Sequence, residues 1–277
     1  MLRPFLHLAL AAATAMASAH LDIINGVPSP VGSASFVAGL RQTSRSVTYC
    51  GASLIAPTFL LTAAHCVDEY VKYVDLGAHY AASYPADRAV EIIDRRFHPR
   101  YTPTSRSYDL AIVEIKTPSP HAPVKLLWDD DPEVNGAGVS ATARGFGVTN
   151  ASTVTYRGYL METTVIICSN PICEQILGSA ISDSMLCAGG GRFDTCRGDG
   201  GGPLTVIKDG EEYITGVTSW GDFYSLCGHR GVPGVYARVS KARAFIEGIL
   251  AGNKSAGLPK VNPSLVSLGF RSTKAHA

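Results

Sequence analysis

The chain has 277 residues and a formal net charge of +1, which excludes the basic excess of a nucleic-acid binder. Its 28 glycines and 16 prolines predict frequent turns, and its apolar runs are short and rich in Val, Ile, Leu and Tyr, as in an all-β domain. Beyond the first nineteen residues no stretch is apolar enough to span a bilayer.

In chain order, Arg3 forms a positive n-region, Phe5 to Met16 an apolar h-region, and Ala17-Ser18-Ala19 a small-residue cleavage site. Residues 1–19 therefore read as a signal peptide, and the protein as secreted and extracellular, with a short extension at 20–22. Short strands separated by turn signals follow, from about residue 34 to residue 238. In "SLIAPTFLLTAAHC", Ser53-Leu54-Ile55 reads as a strand, Ala56-Pro57 as a turn, and Phe59 to Thr62 as a second strand. Ala63-Ala64-His65-Cys66 then opens a short helix. "YDLAIVEI" (Tyr108 to Ile115), "EYITGVTSW" (Glu212 to Trp220) and "GVYARVS" (Gly234 to Ser240) read as buried strands. Helix is expected mainly at the end, where Ser240 is placed to cap "KARAFIEGILAGN". Residues 254–277 carry four positive charges and no acid, and are expected to form a disordered basic tail. Asn150 and Asn253 lie in Asn-X-Ser sequons and are candidate glycosylation sites of a secreted chain.

Seven cysteines after a signal peptide predict disulfides with one thiol left over. Cys168 and Cys173 have no histidine near them, so no zinc site is expected, nor any other metal or cofactor. Acyl transfer by serine needs a histidine base, a buried carboxylate that orients it, and backbone N–H groups that hold the oxyanion. His65, Asp109 and the glycine loop around Gly198 and Gly200 occur in an order that suits those roles. The nucleophile is missing, because Gly200 stands where the loop "CRGDGGGPL" should carry it. Thr205 is too far along the loop to substitute easily.

As a set, "IING", "LTAAHC", "YDLAIV", "SMLCAGG", "DTCRGDGGGPL", "TSWG" and "PGVYARV" resemble the trypsin/chymotrypsin family over about Ile23 to Asn253. The resemblance implies two six-stranded antiparallel β-barrels with a C-terminal helix and a site between the barrels. It implies a degenerate triad of His65, Asp109 and Gly200, with an oxyanion hole at Gly198 and Gly200. It further implies a specificity pocket from Asp194, Ser219, Gly221 and Gly234, with Ser219-Trp220-Gly221 pairing an extended peptide. The implied disulfides are Cys50–Cys66, Cys173–Cys187 and Cys196–Cys227. A fourth family bridge falls at Ala141 and Val206, and Cys168 is unpaired. Family proteases free an amine at the residue matching Ile23, which pairs with the carboxylate matching Asp199. Here Asp22 precedes Ile23, so a tryptic activator would not cut, and Asp199 must find another partner. Ala78 and Arg88 fall where calcium-binding trypsins have carboxylates, so that site is expected to be lost. Phe223 and Tyr224 sit in a lengthened loop near the pocket mouth.

Within the family the chain resembles the glucanase inhibitor proteins of oomycetes, on its broken triad, single domain, short N-terminal extension and wording such as "CGASLIAP" and "LGAHY". The implied function is a secreted, catalytically inactive monomer that binds a protein target. That target would be a host extracellular glycoside hydrolase such as an endo-glucanase, or a protease-pathway protein. Two alternatives are an active endopeptidase cleaving after Arg or Lys, and a decoy that captures such peptides without cleaving them.

Overall fold

The computed structural model describes residues 22–81, 89–150, 155–156, 158–191, 193–221, 227–253 and 255–257. The expected signal peptide, His20, Leu21, Arg88, Phe223, Tyr224, the side chain of Asn150 and nearly all of the basic tail lie outside the described residues. In chain order the strands are β1 (Val27–Pro28), β2 (Val37–Arg41), β3 (Cys50–Ala56), β4 (Phe59–Thr62), β5 (Tyr73–Leu76), β6 (Ala89–Phe97), β7 (Ala111–Ile115) and β8 (Lys125–Leu126). They continue with β9 (Ser140–Gly145), β10 (Val148–Asn150), β11 (Thr155–Tyr156), β12 (Met161–Cys168), β13 (Met185–Gly189), β14 (Pro203–Lys208), β15 (Glu211–Trp220) and β16 (Pro233–Arg238).

The first barrel closes in the order β2-β3-β4-β7-β6-β5. Its strands β2, β3, β4 and β7 are buried along nearly their whole length, as their continuous apolar runs require. The second barrel runs β12-β13-β16-β15-β14-β9 and closes through the β12–β9 pairing. Within β12 the pattern has period two: Met161, Thr163, Val165 and Ile167 point inward, and Thr164 and Ile166 face out. β1 adds to β12, and β8 adds to β15 in parallel. A closed sheet must fill its interior with side chains; the apolar cluster of the first barrel runs on to Ile214 and Val217 of β15 and to the final helix, and a smaller one fills the second barrel.

The barrels meet backbone to backbone beside the site. Gly51 N–H donates to the Gly200 carbonyl at 2.7 Å, and Thr62 Oγ1 donates to the Gly51 carbonyl at 2.7 Å. A Cβ on Gly51 would lie 2.8 Å from Gly202 Cα, so only glycine permits this approach.

The sequence reading needs three corrections. The strand expected from Tyr108 begins only at Ala111, because Tyr108 has φ +51° and turns the chain out of extended geometry. The final helix is α-helical over Arg243–Leu250 after a 3-10 turn at Ser240–Ala242, and Ser240 does not cap it. The Ser240 hydroxyl is used instead on Asp130 at 2.7 Å. A helix at Asn170–Leu177 went unread, although Pro171 in its first turn and left-handed Gly178 after its end are helix signals. The final helix buries Phe245, Ile246 and Ile249. Phe245 meets the edge of His98, which stacks on Tyr108, and burial pushes the His98 imidazole down to about 4.

Candidate functional site: a triad geometry without a nucleophile

His65 lies in the 3-10 turn Ala64–Cys66 that follows β4, next to a cysteine pinned to β3 by the Cys50–Cys66 disulfide. Asp109 lies just before β7 and is fully buried. Its Oδ2 meets His65 Nδ1 at 2.7 Å, and its Oδ1 accepts the His65 backbone N–H at 2.9 Å. Burial works to raise the Asp109 pKa. The contacts with His65, Arg106 and Ser219 outweigh it, so the carboxyl sits below the usual aspartate range. Asp109 is thus an anion placed to hold the histidine ring in one orientation.

Two of its partners were not foreseen from the sequence. The Ser219 hydroxyl, from a residue expected in the specificity pocket, donates to Asp109 Oδ2 at 2.5 Å. The Arg106 guanidinium stands 3.6 Å from the same oxygen, from a residue with φ +56°. Only the "TSWG" wording hinted at Ser219, and no local signal marked Arg106.

Gly200 occupies the position facing the histidine. A Cβ built there would lie 2.8 Å from His65 Nε2, 3.2 Å from Cε1 and 3.3 Å from Cys66 Sγ. The ring edge therefore crowds the space a nucleophilic side chain would need. Gly198 has φ +96°, and neither its N–H nor that of Gly200 donates to a backbone acceptor among the described residues. Thr205 is no replacement. Its hydroxyl donates to Glu212 at 2.6 Å and accepts from Arg144 at 3.2 Å, inside a network that also ties Arg144 to Glu162 at 2.9 Å.

Asp199 is fully buried, and in the uncut chain it takes partners other than an Ile23 amine. Its carboxyl accepts the backbone N–H groups of Gly147 and Cys196, each at 2.8 Å. Burial still pushes it up to about 7, since two amides offset only part of the lost hydration. Ile23 is buried with φ +39°, a strained value for a β-branched residue. The next carbonyl, of Ile24, accepts from Asp194 N–H at 3.3 Å.

Asp194, expected in the specificity pocket, is buried. It accepts from Thr195 N–H at 2.8 Å and Gly228 N–H at 3.2 Å. Burial pushes it up to about 7. A Cβ on Gly234 would lie 3.1 Å from its Oδ1, while one on Gly221 would meet nothing within 4 Å. Gly234 thus lets its backbone pass close to the Asp194 carboxyl. The Cys173–Cys187 and Cys196–Cys227 disulfides form, and Cys168 is a free thiol. Two clusters with metal-ligand types, Cys50-His65-Cys66 and Cys168-Cys173-Cys187, each spend two thiols on a disulfide. Ala78 is buried and offers no oxygen ligand.

Two closed β-barrels, with a histidine and buried aspartate of one facing a glycine-rich loop of the other, define a chymotrypsin-type serine protease fold. The Trypsin family model matches residues 23–246, and the chain belongs to that family. It is 34% identical to glucanase inhibitor protein 3 of Phytophthora infestans over 83% of this chain and 89% of that protein. It is 32% identical to glucanase inhibitor protein 1 of the same organism, over 89% and 96%. Among solved structures it resembles neuropsin, a serine protease expressed in the limbic system of mouse brain. That match has a TM-score of 0.70 and 28% identity, covering 81% of this chain and 98% of that one.

Proposed function

We propose that this protein is a secreted, catalytically silent member of the trypsin family that works by binding and inhibiting a host extracellular enzyme, an endo-glucanase in the first instance. One observation carries the silence. At Gly200 there is no side chain to attack a carbonyl, and His65 Nε2 lies within 2.8 Å of where its Cβ would stand. Removing one member of such a triad costs about 10⁶ in turnover and leaves roughly 10³–10⁴ over water from the oxyanion hole and binding. The names of the relatives over most of their length support the binding role.

The test pairs two assays on the secreted protein. Turnover of an Arg ester should stay at the residual level, and a stoichiometric amount should inhibit a host endo-glucanase. Protease-like turnover sinks the silent reading. No inhibition across a panel of host glucanases sinks the target.

The buried carboxyl of Asp194, with the Gly234 backbone close beside it, supports a second reading, a decoy that seats an Arg or Lys side chain without cleaving. Binding of an Arg-type amidine to the purified protein separates it from a surface binder.

A further inference from the structure

Cys168 closes β12 directly opposite Cys187 of β13, the two being register partners in the antiparallel ladder. Cys187 is bonded to Cys173 on the helix Asn170–Leu177. The three Sγ atoms all lie within 4.8 Å of one another. Cys173 and Cys187 are buried in a small cluster with Ile181, Met185 and Val235, and Cys168, Leu177 and Trp220 pack against its edge. A thiol is therefore held against a disulfide inside folded protein, across β12, β13 and the helix.

We infer that this trio is a thiol–disulfide exchange site, in which Cys187 changes partner from Cys173 to Cys168. In the step, the Cys168 thiol loses its proton and the thiolate attacks Cys187 Sγ. The Cys168–Cys187 bond forms as the Cys173–Cys187 bond breaks, and the electron pair leaves on Cys173 Sγ, which takes up a proton. No net oxidation occurs and no outside oxidant is needed. Directly opposed residues of an antiparallel pair have Cα atoms roughly 4.5–5.5 Å apart, within the span a disulfide bridges. The alternative partner, Cys173, would close only a tight loop at the start of the helix.

The two isomers differ in what they tie together. Cys173–Cys187 fastens the helix to β13. Cys168–Cys187 fastens two strands already hydrogen-bonded to each other and releases the helix, whose Ile172 and Ile176 are exposed. Trp220, at the end of β15, shares the cluster and feels the change. Burial raises the Cys168 pKa, so the thiol is mostly protonated at neutral pH and the exchange is slow there. The inference holds whatever the target of the protein.

The experiment incubates the full chain at a series of pH values without added thiol. Exchange is quenched in acid, free thiols are alkylated and peptides are mapped without reduction after pepsin digestion. A Cys168–Cys187 peptide with alkylated Cys173 should appear, about tenfold faster per pH unit while thiolate is scarce. Cys168→Ser should abolish it. A Cys173→Ala variant checks the geometry independently: it should close Cys168–Cys187 on air oxidation and leave no titratable thiol. Folded protein holding only Cys173–Cys187 at every pH overturns the inference. A folded Cys173→Ala variant with both thiols free overturns it as well.

Discussion

The sharpest test of the silent site is to give it back its nucleophile. Gly200→Ser places a Cβ at 2.8 Å from His65 Nε2, where ordinary contact begins near 3.5 Å. The ring must yield by roughly 0.7 Å while its other nitrogen stays bonded to Asp109 at 2.7 Å. Misplacement on that scale costs about 10²-fold in rate. The second obstacle is Asp199, which burial lifts to about 7 from an ordinary value of 3.8. With no cation beside it the Asp199 charge is unfavourable, and an amine at Ile23 would offset that cost and set the oxyanion hole, worth about 10²–10³ in rate. Gly200→Ser alone should therefore turn over an Arg ester at least about 10²-fold more slowly than the same variant trimmed to begin at Ile23. The assay compares the native chain, each repair and both together, and the two repairs should be strongly non-additive because they act on one unit. Trypsin-like rates from Gly200→Ser alone would refute both the crowding at His65 and the argument from Asp199.

Four further outcomes are expected. An Arg-type amidine should bind more tightly as pH rises, gaining about tenfold per unit up to about 7 and then levelling, because Asp194 must ionise to receive it; calorimetric titration across pH reads this, and Asp194→Asn should flatten it. The raised Asp194 and Asp199 values give stability that is fully present below their unfolded value of 3.8 and lost as pH rises through about 7. The lowered His98 gives stability present above 6.5 and lost as pH falls through about 4, so the two trends oppose and the difference in melting temperature between the native chain and Asp194→Asn isolates the carboxyl part. Asp75→Ala should cost about 3–5 kcal/mol in urea unfolding, because it strips a buried guanidinium, that of Arg41, of its 2.6 Å partner. Asn253 is exposed and its Oδ1 accepts from Ser255 N–H at 3.0 Å and Ser255 Oγ at 2.7 Å, so intact mass of material from a eukaryotic host should fall on deglycosylation, and fall by one glycan less in Asn253→Gln.

The parts of the fold that were legible in the sequence are those where local and global demands agree. Phe59–Thr62 and the two strands near the C-terminus are apolar runs between turn signals, and they became β4, β15 and β16 within a residue or two. The three disulfides followed from family wording, and the fold brought each pair together. What escaped depends on contacts between distant segments. Ser219 meets Asp109 only after the barrels close, across 110 residues, whereas Arg106 lies three residues away and reaches it through a positive-φ turn that no local signal marked. The Ser240 cap failed for the same reason: Asp130, remote in sequence, competes for its hydroxyl. The solution found by Asp199, two backbone amides in place of an amine, is likewise invisible until the loop at Gly147 is in place.

Asp109 belongs to the first barrel and Ser219 to the second, and the bond between them is one of the fastenings that hold the halves in register. The Gly51–Gly200 bond is another. Atoms of the triad geometry are thus also mortar between two bricks. Asp109 and the glycine loop have a masonry duty that does not depend on peptide hydrolysis, because losing them would loosen the building. The presence of the dyad is therefore testimony about architecture and, by itself, none about chemistry.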